Sequence, residues 1–105
     1  SLGEYAALYV AGVFEWSSGL RLIKRRAELM DGVSGGMMAA LIGFDRAQLE
    51  TQLQQTPDAV LANDNSPAQV VISGTPAAVQ ELIANIKTKR AMPLKVSGAF
   101  HSPFM

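Results

Sequence analysis

The sequence predicts an α+β fold in which two helices precede a βαββαβ module. Three observations carry that expectation. From Leu2 to Met30 the apolar residues recur at helical spacing. A glycine-rich stretch, Asp31-Gly32-Val33-Ser34-Gly35-Gly36, then interrupts the chain. Beyond it, short apolar or alternating runs take turns with helical periods.

Residues 2–11 read as the first helix, with Leu2, Tyr5, Ala6 and Tyr9 on one face and Gly12-Val13 ending it. A second helix begins at about Glu15 or Ser17 and runs to Met30. After the glycines, Met37–Phe44 reads as a buried strand. Asp45 is placed to cap a helix to about Gln55, in which Leu49 and Leu53 lie four apart. Thr56-Pro57 breaks it, and Ala59–Ala62 is a short strand. Asn63-Asp64-Asn65-Ser66-Pro67 reads as a turn, because Asn and Asp bond their own backbone well. Gln69–Ser73, rich in β-branched residues, is a strand that Gly74 ends. Thr75 caps the next helix, with Pro76 at its first position. Val79, Leu82, Ile83 and Ile86 give that helix its apolar stripe. Last, Met92, Leu94 and Val96 alternate with Pro93, Lys95 and Ser97, which predicts a strand over 92–97. Residues 37–97 thus have the ferredoxin-like order, four antiparallel strands with two helices on one face.

Composition narrows the function. The 105 residues are 49% hydrophobic, 17% charged and of zero net charge, which argues against a nucleic-acid binder. There is no cysteine and one histidine, so a disulfide framework, a thiolate metal site and a multi-histidine metal site are excluded. No apolar run approaches the roughly 18 residues of a membrane span. No metal, no nucleic acid, no membrane and a cytoplasmic location are the expectation.

A few residues could carry chemistry. Ser1-Leu2-Gly3 matches the back half of a nucleophile elbow, Gly-x-Ser-x-Gly, in which a serine sits at a strand-to-helix turn. Ser1-x-x-Glu4 is equally a capping box, and Glu4 reads as its charge. On a helical wheel, at about 100° per residue, Leu20, Leu22, Ile23, Ala27, Leu29 and Met30 fill one half. Arg26 is the one charged residue among them. It is either a structural ion pair or snorkelling side chain, or a bidentate clamp on a carboxylate or phosphate. His101, in Gly98-Ala99-Phe100-His101-Ser102-Pro103, is either a surface residue or a general base for Ser1.

Together Ser1-Leu2-Gly3-Glu4-Tyr5, Arg26 in Arg26-Ala27-Glu28-Leu29-Met30, Asn63–Pro67 with Gln69–Gly74, and Gly98-Ala99-Phe100-His101-Ser102 resemble the malonyl-CoA:acyl carrier protein transacylases. The acyltransferase domains of fatty acid and polyketide synthases belong to the same superfamily. The resemblance implies an α/β-hydrolase-like large subdomain with a ferredoxin-like insert. Residues 1–36 would be part of the large subdomain, 37–97 the insert, and 98–105 the return segment. It implies Ser1 as nucleophile and His101 as its partner. Arg26 would hold the malonyl carboxylate, the Leu2 amide would give one oxyanion hydrogen bond, and Phe100 would lie in the malonyl-selective loop. Asn65 matches an asparagine near the family's active site.

The implied partners are malonyl-CoA, as substrate, and an acyl carrier protein whose pantetheine thiol accepts the acyl group, with no cofactor. The family's Gly-His before the serine, its N-terminal glutamine donor and its C-terminal strands have no counterpart in this sequence. The expectation is therefore an internal segment, inactive by itself. Two alternatives remain: a non-catalytic ferredoxin-like ligand-binding or assembly module, and a piece of a multidomain synthase. An RNA-recognition module is disfavoured, since Gln69–Ser73 has no aromatic residue for base stacking.

Overall fold

The structure, a computed structural model, describes residues 1–105 as two compact units, Ser1–Gly32 and Val33–Met105. The first unit contains α1 (Leu2–Val10) and α2 (Trp16–Asp31). Gly12 ends α1 in the left-handed region, at φ +79°, where glycine carries no side-chain penalty. The tight return brings Tyr9 against Trp16, edge to face, with ring centroids 5.4 Å apart. Gly19 is the one buried residue of α2, because the Phe14 ring lies where its Cβ would be. Tyr5, Tyr9, Phe14, Trp16, Leu20 and Ile23 line an apolar groove of about 270 Å³ in this unit. Leu20, Leu22 and Leu29 are about half exposed within the pair.

The second unit is the ferredoxin-like module: β1 (Met37–Phe44), α3 (Arg46–Gln55), β2 (Ala59–Ser66), β3 (Gln69–Gly74), α4 (Pro76–Asn85) and β4 (Thr88–Pro93). The sheet order is β2-β3-β1-β4, and every pairing is antiparallel. Both helices start on the caps expected of them. The Asp45 side chain accepts from the Gln48 amide at 2.9 Å, and the Thr75 hydroxyl from the Ala78 amide at 3.2 Å. Strand alternation sends Ala39, Leu41, Val70 and Ile72 towards the helices. There they enclose Leu49, Val79 and Leu82 in the main core. The opposite face of the sheet gathers Met38, Ala40 and Val71, with Met92 and Phe100 packed against them.

Two strands differ from the sequence reading. The last strand lies at Thr88–Pro93 and not at 92–97. Ile86 already closes the core, Gln48 Oε1 accepts from the Lys87 amide, and Thr88 Oγ1 donates to the Ile42 carbonyl at 2.9 Å. The chain is thus fixed beside β1 from Thr88 onward. Leu94 and Val96, whose alternation suggested the later span, are exposed.

β2 continues through Asn63-Asp64-Asn65-Ser66, which the sequence reads as a turn. It is an edge strand and tolerates polar residues. Two register shifts against β3, between Leu61 and Asn63 and between Asp64 and Ser66, absorb the irregularity. The turn is only Pro67-Ala68. A bidentate ion pair from Arg46 to Asp64, at 3.0 and 3.1 Å, ties α3 to this edge.

Candidate active site

Ser1 occupies the N-cap position of α1, but its side chain makes no capping hydrogen bond. Only its carbonyl serves the helix, accepting from the Glu4 amide at 3.3 Å. The capping box suggested by Ser1-x-x-Glu4 is not formed. Instead the Ser1 Oγ accepts a hydrogen bond from Arg26 Nη2 at 2.8 Å. Leu2 opens α1. Its amide is one of the first four of a helix, none of which has a partner within it.

Arg26 is half-buried on α2. Its guanidinium carbon stands 5.7 Å from the centre of the Tyr5 ring, in cation–π range. Ser1 and Tyr5 are four residues apart, so both face α2 from the same side of α1. The arginine is thus held between them with no carboxylate on it. The other basic residues of α2 behave differently: Lys24 and Arg25 both pair with Glu28 at the surface.

The second unit holds the remaining residues singled out from sequence. His101 is exposed, and it is the only non-glycine residue with positive φ, at +57°. Such a conformation is uncommon outside glycine and marks a backbone held by its surroundings. Three features hold it. Gly36 donates from its amide to the Ser97 carbonyl at 3.2 Å. Phe100 packs its ring on the second face of the sheet. The Ser102 hydroxyl donates to the Ala99 carbonyl and accepts from the Phe104 amide at 3.2 Å. Asn65 lies exposed on β2 at the second register shift, beside the Asp64 that Arg46 holds.

Tyr5 is the site residue that sequence reasoning missed. Its signal was present in the four-residue spacing from Ser1, but a tyrosine on a helix face reads first as core.

The whole chain, residues 1–105, matches the family described as the acyl transferase domain. The chain belongs to that family. Among proteins similar to this acyl transferase chain, the malonyl CoA-acyl carrier protein transacylase of Synechocystis sp. is 63% identical over 105 residues, 100% of this chain and 36% of the relative. The crystal structure of a Synechocystis malonyl-CoA:ACP transacylase superposes with a TM-score of 0.93 at 62% identity, covering 98% of this chain and 35% of that one. A malonyl-transacylase solved in complex with a type II PKS acyl-carrier protein superposes at 0.83 with 34% identity, covering 97% of this chain and 36% of that one. The acyl transferase chain therefore spans about 36% of the length of the Synechocystis relative. None of its helices is long and apolar enough to cross a membrane.

Proposed function

We propose that the protein containing this chain moves a malonyl group from coenzyme A to the pantetheine thiol of an acyl carrier protein, through an ester on Ser1. The observation that carries the reading is the pairing of a serine at a helix start with an arginine free of any carboxylate, 2.8 Å away. An arginine fork there suits an acyl group that ends in a carboxylate. The relatives' names supply the malonyl group and the carrier protein.

In this scheme the guanidinium turns from Ser1 Oγ to the malonyl carboxylate as the substrate enters. Ser1 Oγ attacks the thioester carbonyl while His101 takes its proton. The Leu2 amide donates to the developing oxyanion. The carbon–sulfur bond breaks, and the coenzyme A sulfur leaves with the proton from His101. The pantetheine thiol then attacks the ester, His101 relays the proton back to Ser1 Oγ, and the serine is restored.

Phe100 acts by fixing the loop that presents His101, and Asn65, on β2, is assigned to substrate binding by the resemblance alone. An acetyl group brings no carboxylate, so it leaves Arg26 unanswered and is disfavoured. A cytoplasmic location belongs to the same reading. The 105 residues span about 36% of the length of the Synechocystis relative and comprise part of the large subdomain of such an enzyme, its ferredoxin-like insert and the return segment; by themselves they are inactive. A non-catalytic module accounts less well for a family match that includes Ser1 and Arg26.

The test is transfer from malonyl-CoA and from acetyl-CoA to carrier protein by the protein containing this chain. Malonyl transfer with a strong preference over acetyl is expected. Equal rates, or none, would overturn the reading.

A further inference from the structure

We infer that Tyr5 is a positioning residue for acyl selection: its ring face holds the Arg26 guanidinium where the carboxylate of the acyl group must arrive. The inference rests on the proposed role of Arg26. A guanidinium at the end of a long side chain has many rotamers, and a clamp is selective only when its fork is aimed before the substrate enters. Arg26 has two anchors in the first unit. One is Ser1 Oγ, which accepts from Nη2 at 2.8 Å. The other is the Tyr5 ring, 5.7 Å from Cζ.

The first anchor cannot serve throughout the reaction. Once Ser1 Oγ carries an acyl group, it is an ester oxygen and a poor acceptor. The ring remains. Tyr5 is one helical turn beyond Ser1 on the same side of α1, so the arginine need not leave it to turn from the hydroxyl to the carboxylate. Tyr5 and Arg26 are both half-buried, which strengthens a cation–π contact over an exposed one. The ring face makes the contact, so phenylalanine should serve in its place and an aliphatic side chain should not.

The experiment compares Tyr5→Phe, Tyr5→Leu and Arg26→Ala in the protein containing this chain. It reads the ratio of kcat/KM for malonyl-CoA to that for acetyl-CoA. Both substrates are measured on one preparation, so partial misfolding cancels from the ratio. Tyr5→Leu is expected to lower the ratio about three- to tenfold, the range of a partly buried cation–π contact. Tyr5→Phe should retain it, and Arg26→Ala should lower it furthest. A normal ratio in Tyr5→Leu beside a collapsed one in Arg26→Ala would overturn the role of Tyr5 and leave that of Arg26 standing. Loss in Tyr5→Phe equal to that in Tyr5→Leu would overturn the ring-face contact. An unchanged ratio in Arg26→Ala would remove the reading on which the inference rests.

Discussion

Arg26 donates a 2.8 Å hydrogen bond from Nη2 to the Oγ of Ser1, 25 residues away in sequence. The serine is thereby withdrawn from its expected work as a helix cap, and the arginine is kept in place with no carboxylate on it. Replacing the arginine should change which acyl group is chosen more than how fast transfer proceeds. Arg26→Lys is the sharper variant, since an ammonium keeps the charge and loses the planar fork. We expect it to raise KM for malonyl-CoA and to recover only part of the malonyl preference in steady-state assays against acetyl-CoA. Full recovery would mean that charge alone suffices.

His101 sits at φ +57°, a conformation that asparagine adopts more readily than alanine. His101→Asn therefore removes the proposed base while sparing the backbone. A fall in kcat of about two to four orders of magnitude is expected, the usual range for a general base. The melting temperature should stay close to that of the parent, as thermal unfolding would show. A variant that transfers malonyl groups at a near-normal rate would take His101 out of the reaction.

Gly36 is needed for closeness and not for an unusual φ. A Cβ there would run into the Ala99 nitrogen, backbone that cannot move aside. Gly36→Ala should cost about 1–3 kcal/mol, the range for overpacking. It should also lower kcat by displacing the segment that carries His101. Denaturant unfolding and kinetics on the same preparation measure both.

Much of this was legible in the sequence, for identifiable reasons. The βαββαβ order follows from the β-branched run in Gln69–Ser73, the caps Asp45 and Thr75, and the stripe Val79, Leu82, Ile83 and Ile86. Each is a local pattern with one meaning. Local periodicity puts the last strand at 92–97, because Met92, Leu94 and Val96 alternate as a strand should, while pairing is decided by β1. The Thr88 bond to Ile42, 46 residues away, is invisible to local periodicity. The polar run Asn63–Ser66 reads as a turn for the same reason, since only the sheet shows that it lies on an edge. In the candidate site Ser1 and Arg26 were found separately. Their contact, and the Tyr5 ring beside it, depend on how α1 meets α2.

The main core offers a control that leaves the site alone. Leu82 is fully buried between α4 and the sheet. Leu82→Ala should destabilise the protein by about 2–5 kcal/mol through lost burial and a residual cavity. The malonyl-to-acetyl preference of the folded fraction should be unchanged. Calorimetry and the substrate ratio report the two separately.

The central claim is that Ser1 carries the acyl group. Intact-mass spectrometry of the protein containing this chain, mixed with malonyl-CoA and no carrier protein, tests it most directly. A mass gain of one malonyl group is expected, located by fragmentation on Ser1, lost on adding carrier protein and absent from Ser1→Ala. An acylated residue other than Ser1, or full transfer activity in Ser1→Ala, would contradict it.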